Sequence, residues 1–143
     1  MNSANIAALQ RSFVQAIRDV SGRQVTIRPV GFGRALERLN PGDTIRFDLA
    51  SPEHLPPLDV AHRVRGGQTN VVALVNAPDA RPKPWAGWSE QWICSRPDDF
   101  TPMSFGWTFF WGLEHGGKRQ VFRAEWDTVS TQPVQPHWHV DEE

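Results

Sequence analysis

The stretch SFGWTFFWGLEHGGKRQVFRAEWD, residues 104–127, decides the fold. Phe105, Trp107, Phe109, Trp111 and Leu113 alternate with Ser104, Gly106, Thr108, Phe110 and Gly112. Beyond Gly116-Gly117, Gln120, Phe122, Ala124 and Trp126 alternate with Val121, Arg123, Glu125 and Asp127. Period-two alternation on both sides of a Gly-Gly dipeptide predicts a β-hairpin with a two-residue loop. That loop sets His115 opposite Lys118, Glu114 opposite Arg119, Trp111 opposite Phe122, Phe109 opposite Ala124 and Trp107 opposite Trp126. Large apolar residues then meet apolar partners on one face, and Glu114 meets an opposite charge.

Working outward, Ile6, Leu9, Phe13, Ile17 and Val20 recur at three- and four-residue spacing and predict an amphipathic helix over 5–20. Ser3 or Asn5 is expected to cap its start, and Ser21-Gly22 to stop it. Gln24–Arg28 and Thr44–Leu49 alternate like strands, the second placing Ile45, Phe47 and Leu49 on one face and Arg46 and Asp48 on the other. Asn40-Pro41-Gly42-Asp43 is a turn, and residues 34–39 suit a short helix. Residues 51–68 and 77–84 are expected to be loops, the first carrying a short edge strand near Val60–Val64, with a central strand at Val71–Val75. Trp85, Trp88 and Trp92 fit a helical stripe, and residues 85–94 are read as helix or helical turn; Trp88, Glu90, Trp92 and Cys94 offer the competing strand pattern. The expected class is α+β: one domain, residues 1–143, with an N-terminal amphipathic helix packed on a mainly antiparallel sheet that ends in an aromatic-rich hairpin.

Composition narrows the function. Seven Trp and eight Phe without a Tyr load the core with bulky rings. A net charge of −1 supplies no general attraction to nucleic acid or anionic lipid. The single cysteine, Cys94, cannot form an internal disulfide, no apolar run suits a membrane helix, and Met1–Asn5 lacks a basic leader. A cytoplasmic location without membrane attachment is the expectation. Cys94, flanked by apolar residues, is expected to be a buried small hydrophobe.

Chemistry-bearing residues gather at the C-terminus. Arg123, Glu125 and Asp127 share the hairpin's polar face; after Pro133 and Pro136 the chain reads His137-Trp138-His139-Val140-Asp141. Extended, this tail puts His137, His139 and Asp141 on one side. Two imidazoles and a carboxylate could bind a divalent metal such as Zn²⁺, Mn²⁺ or Fe²⁺, or the histidines could act as an acid/base pair. If the tail pairs beside 118–127, its polar side joins Arg123 and Glu125, giving catalytic candidates His137, His139, Glu125 and Arg123, with the guanidinium as clamp for an anionic substrate.

Gly117–Glu143 resembles the C-terminal half of TumE-like toxins of prokaryotic toxin–antitoxin pairs: an aromatic hairpin ending in Val121–Asp127, then Pro136-His137-Trp138-His139-Val140, then Asp141-Glu142-Glu143. Thr128-Val129-Ser130 stands where that family has an asparagine and further histidines. The resemblance implies a bacterial toxin or defence context, activity on a nucleotide or nucleic-acid substrate, and an antitoxin or assembly subunit as protein partner. The competing expectation is a non-catalytic interaction module that uses Trp85, Trp88 and Trp92 as an exposed aromatic surface, although tryptophans are more often core.

Overall fold

A computed structural model describes residues 1–31, 33–52, 59–64, 67–75, 81–115, 117–128 and 137–140; of these, 59–64, 67–69 and 137–139 are described by their backbone. One helix, α1 (Ser3–Ser21), precedes β1 (Thr26–Pro29), a 3-10 turn (Leu36–Arg38), β2 (Thr44–Ala50), β3 (Asp59–Val64), β4 (Gly67–Ala73), β5 (Lys83–Arg96), β6 (Asp99–Gly112), β7 (Lys118–Asp127) and β8 (His137–Val140). The strands form one eight-stranded sheet in the order β1-β2-β5-β6-β7-β8, with the β3–β4 hairpin attached to the start of β5. Every pairing is antiparallel. The α+β class read from the sequence is the observed one.

Helix α1 begins two residues earlier than its apolar pattern suggests. Asn2, not Ser3 or Asn5, is the cap: its side-chain oxygen accepts the Asn5 N–H at 2.8 Å. Gly22 ends the helix in the left-handed region (φ 69), donating its N–H to the Arg18 carbonyl. The buried stripe is narrower than predicted. Ile6 and Ile17 are inside, whereas Leu9 and Val20 are exposed. Phe13 docks the helix, its ring 4.6 Å from Trp88 and 5.2 Å from Trp107. Burying a side chain such as Ile6 contributes roughly 2–3 kcal/mol.

The sheet face under α1 carries two apolar clusters, one around Ile6, Ile45, Phe47, Trp92 and Phe100, the other around Ile17, Val25, Leu49, Val72 and Ala86. As predicted, the 40–43 turn forms, with Gly42 at φ 92 and the Asp43 N–H on the Asn40 carbonyl. Gly42 N–H then bonds Cys94 O, and Cys94 N–H bonds Asp43 O, so the turn docks β2 on β5.

Residues 85–94 are strand, not helix. Ladder bonds to β2, β4 and β6 satisfy β5 along its length, an outcome that a helical stripe in isolation cannot compete with. Strand geometry also splits the aromatic stripe, because an odd spacing changes face. Trp88 and Trp92 lie under the helix, while Trp85 packs with Val71, Ala73 and Phe110 on the opposite face. Trp85 and Trp92 are buried, which removes this trio as an exposed docking surface. β6 likewise starts earlier than the alternation suggests. Glu90 pairs with Phe105 but Cys94 with Phe100, the skipped Met103 forming a bulge that returns Phe100 to the helix-facing side. The β5–β6 turn has Asp98 at φ 53 after Pro97, and Asp98 Oδ1 accepts from the Ser3 hydroxyl and N–H.

The hairpin of 104–127 exists, but its register differs from the predicted one. Gly112 pairs with Lys118 and Trp111 with Arg119, so the loop is the five residues 113–117. Phe110 pairs with Gln120 and Phe109 with Phe122, leaving Val121 as a bulge; Trp107 then faces Ala124 and Phe105 faces Trp126. A clasp explains the longer loop. Trp85 Nε1 donates to the Gly112 carbonyl, Lys83 Nζ lies 3.2 Å from Glu114 Oε2, and both Lys83 and Lys118 sit over the Trp85 ring. Desolvation, opposed by Glu114, holds the Lys118 pKa below the ordinary lysine value. Phe110 is therefore buried, whereas Trp111 and Leu113 are exposed, the reverse of the predicted assignment.

Candidate functional site

Directly paired residues of an antiparallel ladder share a face, so the ladders map the side of the sheet away from α1. One row runs Arg28, Asp48, Ser89, Gly106, Glu125, with His137 at the next register position. The neighbouring rows are Gly87, Thr108, Arg123, with His139 next, and Arg46, Gln91, Ser104, Asp127. Across the middle of the face the residues are small: Gly87 and Ser89 on β5, Ser104, Gly106 and Thr108 on β6. Charged residues on β2 and β7 flank this floor, three strand spacings or about 14 Å apart. At Gly106 a Cβ would meet Ser89 Oγ at 3.4 Å, so any larger side chain there would crowd the floor.

On the β7 wall, Arg123 Nε lies 3.1 Å from Glu125 Oε1. The Arg123 side chain is only 12% exposed, and its Nε–H does not line up with that oxygen; it is a buried donor without a hydrogen bond among the described residues. Such a group costs about 1–3 kcal/mol unless an acceptor reaches it. The predicted two-residue loop sets Arg123, Glu125 and Asp127 opposite Phe110, Thr108 and Gly106; the five-residue loop moves the register by three positions and the bulge at Val121 takes one back, so they face Thr108, Gly106 and Ser104.

On the β2 wall, Asp48 is buried and held by Arg46, Nε to Oδ1 at 2.8 Å and Nη2 to Oδ2 at 3.4 Å. Burial raises the Asp48 pKa, and the charge and hydrogen bond of Arg46 pull against it. Sequence reading placed Arg46 and Asp48 on the outward side of their strand and went no further, because the β2–β5 pairing that sets them facing Ser89 is non-local.

The tail segment pairs with β7: Phe122 with Val140, Arg123 with His139, Ala124 with Trp138 and Glu125 with His137. Asp141 lies outside the described residues. Among the described residues no group of three or more His, Cys, Asp or Glu is arranged to hold a metal. His115 falls in the exposed β6–β7 loop and not opposite Lys118. Cys94 is buried, its thiol donating to the Arg96 carbonyl at 3.2 Å.

No protein-family model matches this chain, and no curated protein or solved structure is significantly similar to it. The class defined by its coordinates is thus the α+β one alone, a single helix on an antiparallel sheet. No helix among the described residues is long and apolar enough to cross a membrane.

Proposed function

We propose that the polar face between β2 and β7 binds a phosphate-bearing substrate, a nucleotide or a nucleic-acid strand, and supports metal-assisted hydrolysis or transfer in a bacterial toxin or defence setting. Arg123 is the anion clamp, Glu125 a general base or ligand, and His137 and His139, with Asp141, the divalent-metal ligands or acid/base pair. The observation that carries this reading is the β7–β8 ladder, in which Glu125 pairs with His137 and Arg123 with His139. Two further features support it: the hydrogen-bond-deficient Arg123 Nε and the small residues on β5 and β6 that leave room beside it. The TumE-like pattern of the tail points to the same substrate class. The test combines elemental analysis of the purified protein with turnover of a nucleotide and single-stranded RNA panel by His137→Ala, His139→Ala and Arg123→Ala. Loss of an acid/base or ligand group lowers turnover by about 10²–10⁴. Full activity and unchanged metal content in both histidine variants would end this proposal.

A second reading has its own observation. Trp111, Leu113 and Val121 are each exposed toward the loop end of the β6–β7 hairpin. This is an aromatic surface of the kind that anchors a protein partner, here located on the hairpin and not on the buried Trp85 and Trp92. A Trp111→Ser variant that loses co-purification with a genuine partner while keeping any turnover would favour it.

A further inference from the structure

Between α1 and β1 runs a groove of about 790 Å³, walled by Ala7, Arg11, Val14 and Arg18 of the helix and by residues 24–28, which lead into and begin β1. Residues 7, 11, 14 and 18 are spaced four, three and four apart, so they form one stripe along the helix. The stripe is alternately small or apolar and cationic. No Asp or Glu is among the described lining residues. Arg11 and Arg18 are both exposed at its rim.

The strand side of the groove is an open ladder. Among the described residues β1 pairs with β2 alone and stands at the end of the strand order. Val30 N–H bonds the Arg46 carbonyl, which fixes the parity of the ladder: residues 26, 28 and 30 turn their backbone groups toward β2. Val25 and Ile27 therefore turn their N–H and C=O groups outward, along the groove. Pro29, next on the same edge, has no N–H to offer, so the open ladder is short and ends there. An edge of this kind accepts one extended segment by strand addition.

We propose that this groove is a docking site for an extended, acidic peptide segment of a protein partner, which adds to β1 as a further strand. Backbone bonds to Val25 and Ile27 hold it, and its helix-facing side carries both small apolar side chains that meet Ala7 and Val14 and carboxylates that reach Arg11 and Arg18. Arg11 and Arg18 lie seven residues apart, roughly 10 Å along the helix axis. That is about three residues of strand, within reach of carboxylates two or four positions apart. A nucleic-acid strand offers the same negative charge but no amide ladder, so the open edge selects the peptide. This site lies on the helix side of the sheet and does not depend on the function proposed for the polar face.

The probe is a fluorescein-labelled peptide of Glu-Ser-Val-Ser repeats, which puts Glu and Val in turn on one face with carboxylates four positions apart, titrated by anisotropy against the full chain, with Lys-Ser-Val-Ser repeats as control. Saturable binding is expected for the acidic peptide only, weakened at least tenfold in Arg11→Glu/Arg18→Glu, whose exposed sites leave the thermal midpoint nearly unchanged. Hydrogen exchange supplies the second readout: bound peptide slows the Val25 and Ile27 amides. Three results would overturn the proposal. These are equal binding by the charge-reversed variant, equal binding of a single-stranded oligonucleotide to the same groove, and protection of Val25 and Ile27 by self-association without peptide.

Discussion

Glutamine in place of Glu90 tests how α1 is fastened to the sheet. Glu90 is buried on the apolar, helix-facing side, where its carboxylate accepts from three neutral donors: Gln10 Nε2, Trp92 Nε1 at 3.3 Å, both on Oε1, and Trp88 Nε1 at 3.0 Å on Oε2. Glu90→Gln keeps the shape but turns one acceptor oxygen into an NH₂ group. With the amide oxygen in the Oε1 position, Trp88 Nε1 faces another donor and is left unsatisfied. A buried donor without a partner costs about 1–3 kcal/mol. For a chain of this size that is a fall of roughly 3–10 °C in Tm. Glu90→Ala strands all three donors and opens a void, so its loss is expected to be about twice as large. Urea unfolding followed by tryptophan fluorescence measures both, and a double-mutant cycle with Gln10→Ala isolates the helix-to-sheet bond, with coupling of about 1 kcal/mol. If Glu90→Gln unfolds within about 0.5 kcal/mol of the parent, or Glu90→Ala loses no more than Glu90→Gln, the carboxylate is not the fastening described above.

Three further outcomes are expected. A Cβ at Gly112 would lie 2.4 Å from the Gly117 carbonyl oxygen and 2.8 Å from Lys118 Cα, so Gly112→Ala should lose about 3 kcal/mol or remodel the 113–117 loop, whereas Gly117→Ala, with open space around it, should be nearly neutral in thermal melts. Because the Asp48 pKa is raised on folding, the native state holds that proton more tightly than the unfolded chain. The stability it contributes at low pH is then lost as pH rises from the ordinary aspartate value through the raised one; urea midpoints of Asp48→Asn should fall less over that interval than those of the parent. Cys94, 1% exposed, should react with a thiol reagent only at the rate of unfolding, and rapid native labelling would contradict its burial.

Local patterns carried much of this fold. Helix α1, the strand Thr44–Ala50, the turn at Gly42 and the existence of the 104–127 hairpin all show in patterns of neighbouring residues, and all are legible, although the partners of Thr44–Ala50 are not. The errors lie where tertiary contacts override local pattern. Trp85, Trp88 and Trp92 satisfy helical spacing, but the hydrogen-bond demand of the β2, β4 and β6 edges makes the segment a strand. Gly116-Gly117 looks like a tight turn, yet Trp85 and Lys83 reach Gly112 and Glu114 from β5, outside the hairpin, and with Lys118 they hold the longer loop. The bulges at Met103 and Val121 have no sequence mark, and each changes which residues share a face. Of the candidate site, Arg123 and Glu125 could be picked from alternation, whereas the Arg46–Asp48 wall could not, since its place depends on strands more than forty residues apart in the chain.

β5 is bordered on one edge by β2 and β4 in turn and on the other by β6. During synthesis, at about 5–20 residues per second, β2 therefore emerges roughly 2–10 s, and β4 about 1–3 s, before its partner residues on β5. The two-residue reversal at 97–98 makes β5–β6 the most local pairing that β5 has, so this pair is expected to zip first and to template the waiting N-terminal segments. The early chain presents unmet strand edges to whatever is nearby, so co-expression with a holdase chaperone should matter more for its yield than for the refolding of the finished protein.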